Sequence, residues 1–243
     1  MAVLALLLGA IMVGTASANH SWNGYHWART ANPFKVELGD NMSSDWNPFL
    51  KQTSADWSKS NVLDTPLGTR RAKGKCRPTA GRVEVCNGSY GNNGWLGLAQ
   101  IWISGGHITQ GTTKMNDTYF ALPQYNNAAE KEHVVCQEVG HTFGLDHQDE
   151  SGISLNTCMD YYHNTSNSDT KSTSPNQHDY DELATIYAHL DSFSTVGGTV
   201  ATPGNSPDWA PAGEHASTYV DHLPNGDELV TFVIWANPIH GDL

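Results

Sequence analysis

The chain has 243 residues and a formal net charge of −12 at pH 7, from 13 Lys and Arg against 25 Asp and Glu. That length suits one domain with a sizeable core and room for a small appendage. The acidic balance argues against nucleic acid as a partner, because phosphate binding needs clustered Lys and Arg. Only 16% of residues are charged and Gly, Asn, Ser and Thr are abundant, which fits a secreted globular protein better than a disordered chain.

Residues 1–18 are apolar and uncharged and end in Ala16-Ser17-Ala18. An apolar core before a small-x-small site is the pattern of a signal peptide, here without the usual basic start, and cleavage after Ala18 gives a mature start at Asn19. The competing reading is a membrane anchor. The apolar run over 2–13 is short for a span, and no later stretch is apolar enough to cross a membrane, so none is expected after signal cleavage. Export makes the four cysteines interpretable as a disulfide framework with three possible pairings. Cys76 and Cys86 flank a short, turn-rich segment with Pro78 and Gly81, which predicts a local bridge.

Aromatic residues are dense over 20–63: Trp22, Tyr25, Trp27, Phe34, Trp46, Phe49 and Trp57. Residues 34–38 alternate and predict a strand, ended by Gly39-Asp40-Asn41. Ser44-Asp45 predicts the cap of a helix running to about Ser58, whose Trp46, Phe49, Leu50 and Trp57 form a core stripe. Val62-Leu63-Asp64 opens a second strand, so a crossover in a twisted sheet is expected. Residues 67–94 carry Arg70, Arg71, Lys73, Lys75, Arg77 and Arg82 and read as a solvated loop with a short hairpin. A buried strand is expected over 95–103 and another strand over 108–120.

Residues 125–144 predict a helix, with Ala128, Ala129, Glu130, Lys131 and Glu132 as good helix formers and Val134, Val135, Val139 and Phe143 as its apolar packing. Gln137 and His141 are i and i+4 and project from one face, where two donors can share a metal ion. Gly144, three residues on, tolerates the left-handed turn that ends a helix and swings His147 back toward the same face. His133 stands one turn before Gln137. It lies about 12 Å along the axis from His141 and is expected on the helix surface or supporting the site, not on a shared ion.

The pattern x-Glu-x-x-His-x-x-Gly-x-x-His over 137–147, with Cys158-Met159-Asp160-Tyr161 downstream, resembles the metzincin zinc-peptidase signature and its Met-turn. The resemblance implies a metzincin-like zincin of the α/β (α+β) class: a twisted mixed sheet, an active-site helix, a Met-turn and a C-terminal helix. It implies zinc held by His141, His147 and the residue at position 137, and Glu138 as general base. Met159 would lie beneath the site, and Tyr161 would stand where some metzincins place a tyrosine near the metal. A Met-turn packed under the helix would also bring Cys136 to Cys158. By order in the chain, the strand over 108–120 is the counterpart of the edge strand that pairs with substrate.

One position departs from the signature: Gln137 stands where the family has histidine. An amide oxygen is a neutral, hard donor, unlike the usual zinc ligands. Three readings stay open. Gln137 is a weak third ligand, or it orients a water or Tyr161 in that place, or metal and chemistry are lost. The expected function is therefore a secreted zinc endopeptidase acting on protein or peptide substrates as a monomer. The alternative is a catalytically weak or inactive metzincin-fold peptide-binding protein.

Residues 162–177 are rich in Asn, Ser and Thr and read as a surface loop walling the cleft. Tyr180, Leu183, Ile186, Tyr187 and Leu190 have helical spacing and predict a last helix over 179–190. The catalytic domain is then expected over 19–193, a Gly/Pro/Thr/Ser linker over 194–211, and an extension over 212–243. Within the extension, Pro224-Asn225-Gly226-Asp227 between two apolar runs is a β-hairpin signal. Such a hairpin is too small to be stable alone and is expected to dock on the main domain.

Overall fold

The computed structural model describes residues 20–72, 76–198 and 216–236. The signal peptide over 1–18, the mature start at Asn19 and the linker beyond residue 198 lie outside these. The strands are β1 (His26–Trp27), β2 (Phe34–Lys35), β3 (Leu38–Asn41), β4 (Leu63–Asp64), β5 (Leu67–Gly68), β6 (Val83–Gly88), β7 (Trp95–Ser104), β8 (His107–Asn116), β9 (Thr218–His222) and β10 (Glu228–Trp235). The helices are α1 (Asn47–Trp57), α2 (Asp117–Phe120), α3 (Ala128–His141) and α4 (Gln177–Ile186). The main sheet runs β5-β3-β6-β8-β7-β10-β9, with β1 paired to the start of β8, while β2 and β4 form a separate pair. It is a mixed sheet. β5, β3, β6 and β8 are parallel, and β8, β7, β10 and β9 are antiparallel.

The local readings fail where side chains interact across the sheet. The stretch over 34–38 divides: Phe34–Lys35 pairs with β4, and Leu38 moves to the main sheet. Gly39-Asp40-Asn41 does not end a strand but lies within β3, because the missing Cβ at Gly39 leaves room for the buried Arg82–Glu84 pair. That pair also explains β6, which sequence reading placed in a loop: Glu84 points inward and is neutralised there instead of marking a solvent face. Ser44-Asp45 does not cap α1. The helix begins at Asn47 with Pro48 in its first turn and no side-chain cap. The strand expected over 108–120 ends at Asn116, whose side chain accepts from the Thr118 N–H and starts α2. β8 is interior, held between β6 and β7, so it cannot serve as the substrate-pairing edge.

Several expectations hold. β7 is buried along nearly its whole length, as a central strand requires. The aromatic stripe of α1 is core: Leu50 and Trp57 are fully buried and Trp46 nearly so. Trp57 stands edge-on to Phe143 and donates its indole N–H to the Cys136 carbonyl at 3.1 Å. This locks α1 beside α3, and α3 in turn lies across β7, β8 and β10. α4 opens with a capping box in which the Asn176 side chain accepts from the Asp179 N–H and the Asp179 carboxylate accepts from the Asn176 N–H. Both disulfides form, Cys76–Cys86 and Cys136–Cys158.

The C-terminal hairpin turns at Gly226, in the left-handed region with φ 85°, and joins the main sheet. β10 pairs with β7 from Glu228↔Ile103 to Trp235↔Trp95, and it buries every residue from Leu229 to Trp235. Among the described residues no helix is long and apolar enough to cross a membrane.

Candidate metal and catalytic site

Helix α3 is capped by Asn127, whose side chain accepts from the Glu130 N–H. It carries Gln137, Glu138 and His141 into the interior, each fully buried. The helix ends at His141, and Gly144 follows with φ 93°; a Cβ there would collide with the Tyr25 carbonyl. The chain then turns back and brings His147 to His141, as the spacing anticipated. Their Nε2 atoms stand 3.1 Å apart with the rings perpendicular.

The protons decide what this pair can hold. His141 Nδ1 faces the Leu145 carbonyl at 2.9 Å, and His147 Nδ1 faces Glu150 Oε1 at 2.8 Å. With each Nδ1–H turned to its acceptor, the two neutral rings direct their Nε2 lone pairs at one point, the arrangement that two imidazole ligands of one ion present. A tetrahedral shell with zinc–nitrogen bonds of about 2.0–2.1 Å has edges of about 3.3 Å, and each imidazole already has the outer partner that zinc-binding histidines use. Burial, then the neighbouring His147, holds His141 well below the usual imidazole pKa, so it stays neutral and available as a donor. The donor set fits a divalent transition metal.

Gln137 donates its amide N–H to the Asp160 carbonyl at 2.7 Å, which leaves Oε1 buried without a hydrogen-bond partner. Exchanging the two amide atoms would set oxygen against oxygen, so the bare atom is the oxygen. His133, one turn earlier, is not on the helix surface as one expectation had it. It is fully buried, faces the same carbonyl at 3.1 Å, and is lowered to about 4 by burial. His133 and Gln137 thus hold the turn around Met159 against α3. Met159 lies under the helix: a Cβ on Gly140 would stand 2.5 Å from its sulfur.

Glu138 has no well-formed hydrogen bond at either carboxylate oxygen. Burial raises its pKa well above the ordinary carboxylate value, and the Ile234 N–H offsets only part of that. Its side chain fills the space that Gly97 of β7 leaves open. Tyr161 is buried with its ring edge toward His147, centroids 5.2 Å apart, and its hydroxyl accepts from the Trp235 N–H at 2.6 Å. Burial pushes that phenol far above its ordinary pKa.

Sequence reasoning missed three parts of the site. Phe232 of β10 stacks flat on His141 at 4.2 Å, so the hairpin lies directly over the donors, and Ser217 bonds Glu150 behind His147. Glu130 is fully buried and takes His163 Nδ1 and the Asn164 N–H, fixing the loop after Tyr161 to the helix. His20 bonds the Asp146 carbonyl at 3.0 Å and ties the N-terminal segment to the turn carrying His147. None of these left a local signal, since each partner is 33 or more residues away in the chain.

No family model matches this sequence, and no curated protein matches it. Among solved structures the chain is similar to myroilysin, with 12% identity over 67% of this chain and 96% of that one and a TM-score of 0.37. It is also similar to high choriolytic enzyme 1, a hatching enzyme zinc-protease from Oryzias latipes (medaka fish), with 10% identity over 67% and 94% and a TM-score of 0.37.

Proposed function

We propose that the chain is a secreted zinc endopeptidase of metzincin type, with His141, His147 and Gln137 as metal donors and Glu138 as general base. The observation that carries this reading is the pair of Nε2 atoms 3.1 Å apart, each ring held at Nδ1 by its own acceptor. Zinc bound there would supply Lewis-acid polarisation of a peptide carbonyl and a lowered pKa for a water. Glu138, on the same helix as Gln137 and His141, would take a proton from that water and return it to a leaving amine. Tyr161 supplies a phenolic O–H beside His147 that can donate to a developing oxyanion while its oxygen accepts from the Trp235 N–H. The disulfides and buried export-compatible core accord with secretion.

A second reading, peptide binding without cleavage, draws on two observations. Gln137 is a neutral donor already tied to Asp160, and β10 covers the donors through Phe232, Ile234 and Trp235. A substrate carbonyl reaches Glu138 only if β10 parts from α3. Zinc titration and a casein assay on the parent, Glu138→Gln, Gln137→His and Gln137→Ala separate the two readings. The peptidase reading expects hydrolysis lost by at least 100-fold in Glu138→Gln with zinc affinity retained, tighter zinc in Gln137→His and weaker zinc in Gln137→Ala. A parent with no Glu138-dependent cleavage gives way to the binding reading, and unchanged zinc affinity in both Gln137 variants removes Gln137 from the donor set.

A further inference from the structure

A second group of donors lies apart from α3, where three separate segments meet. The parallel pairing of β1 with β8 sets His26 directly beside His107, and their rings meet edge to face at 4.9 Å. The segment after α4 adds His189 and Asp191. Asp191 is anchored by the chain around Arg29: its N–H donates to the Arg29 carbonyl at 2.9 Å, and its Oδ2 accepts from the Arg29 N–H at 3.1 Å and Nη1 at 3.0 Å.

Those bonds occupy Oδ2 and leave Oδ1 to the histidines. His107 Nε2 lies 3.3 Å from Oδ1 and His189 Nε2 3.8 Å from it. His26 Nε2 lies 3.6 Å from Oδ2 and 3.0 Å from His189 Nε2. The donor atoms of His26, His107 and Asp191 all fall within 4.8 Å of one another. His26 Nδ1 faces the Gly24 carbonyl at 2.8 Å, so its proton is on Nδ1 and Nε2 presents a lone pair to the group. This is the arrangement by which a zinc-binding imidazole is oriented, and the separations bracket the edge of about 3.3 Å expected of a tetrahedral zinc shell.

We propose that His26, His107 and Asp191 form the core of a second, structural zinc site, distinct from the pair on α3, that staples β1, the start of β8 and the segment after α4 together. His189 stands outside that close group, 3.0 Å from His26 Nε2, and its exposed side chain completes the shell by turning onto the ion. Metal affinity there is folding stability, because the three segments come together only in the folded chain.

The test uses chelator-stripped full-length protein titrated with Co2+ and with Zn2+, reading stoichiometry and the visible cobalt absorption of a tetrahedral site. Three variants accompany the parent: His107→Ala with His189→Ala, His189→Ala alone, and His141→Ala with His147→Ala. The His107/His189 double variant is expected to bind one equivalent fewer than the parent, and the His141/His147 variant to keep one equivalent with a tetrahedral spectrum. Zinc at a thousandfold excess over its Kd is expected to raise Tm by about 8 °C or more through this site in the His141/His147 variant. His189 is half exposed, so His189→Ala tests the site with little risk to folding and is expected to weaken binding at least tenfold. Equal stoichiometry in the parent and the His107/His189 variant, no metal uptake by the His141/His147 variant, or unchanged affinity in His189→Ala overturns the proposal. Because each double variant removes only one site, failure here is distinct from failure of the peptidase reading.

Discussion

Gly140→Ala sets helix propensity against packing. Gly140 is the penultimate residue of α3, and replacing a helical glycine by alanine ordinarily stabilises by up to about 1 kcal/mol. Here the new Cβ would stand 2.5 Å from Met159 Sδ and 2.6 Å from Trp57 Cζ2. Neither neighbour yields easily. Trp57 is fully buried, bonded to the Cys136 carbonyl and wedged against Phe143, and Met159 sits beside the Cys136–Cys158 bridge. Overpacking a tight core costs about 1–3 kcal/mol, and two contacts below 3 Å place this case near the upper end. The net expectation is a loss of about 2 kcal/mol, or a Tm lower by about 4–8 °C for a chain of this size. Thermal melts of Gly140→Ala, Met159→Ala and the double variant test it. Removing the Met159 side chain relieves one clash, so the double variant should be more stable than the sum of the single losses predicts, by at least 0.5 kcal/mol. A Gly140→Ala protein that melts higher than the parent, or strictly additive effects, refutes the packing of the Met159 turn against α3.

Two further perturbations probe the same helix. Burial raises the Glu132 pKa from 4.5 to about 8, with nearby Asp56 adding to it. A raised carboxylate favours folding while protonated, and that contribution is present below about pH 4.5 and lost as pH rises toward 8. Glu132→Gln should therefore stabilise the protein at pH 8 by on the order of 2 kcal/mol, after discounting for partial exposure, and by little at pH 5. Melts at both pH values check the sign, and a larger gain at pH 5 contradicts it. Cys136→Ala with Cys158→Ala opens a bridge of sequence separation 22 and should cost about 3 kcal/mol, read as a Tm lower by about 6–12 °C without reductant.

The sequence by itself determined the local parts of the site. Residues 137, 138 and 141 follow from the 3.6-residue helix period, and the swing to His147 follows from the only residue type at 144 that accepts a positive φ against the Tyr25 carbonyl. The hairpin was legible from Asn225-Gly226 between two apolar runs. Buried β7 was legible from a largely apolar stretch interrupted only by Gln100 before Ser104. Each of these depends on interactions within about a dozen residues.

Only the tertiary structure decided where the hairpin goes and what each buried polar group meets. β10 could have lain on any apolar surface; pairing with β7 puts Phe232 on His141 and the Trp235 N–H on Tyr161, so a segment about 90 residues downstream covers the helix donors. The sequence left His133 either on the helix surface or supporting the site, and placed Glu84 within a solvated loop and short hairpin, because charge and polarity ordinarily seek water. Both are buried beside a partner: Arg82, two residues away and itself buried, for Glu84, and the Asp160 carbonyl, 27 residues on, for His133. The same holds for His26, His107, His189 and Asp191, which are scattered over more than 160 residues and carry no spacing motif. Strand pairing sets His26 beside His107, and the bonds between Asp191 and Arg29 bring the segment after α4 to them. Periodicity reports which way a side chain faces along its own element, and a site assembled across elements becomes visible only when the pairings are known.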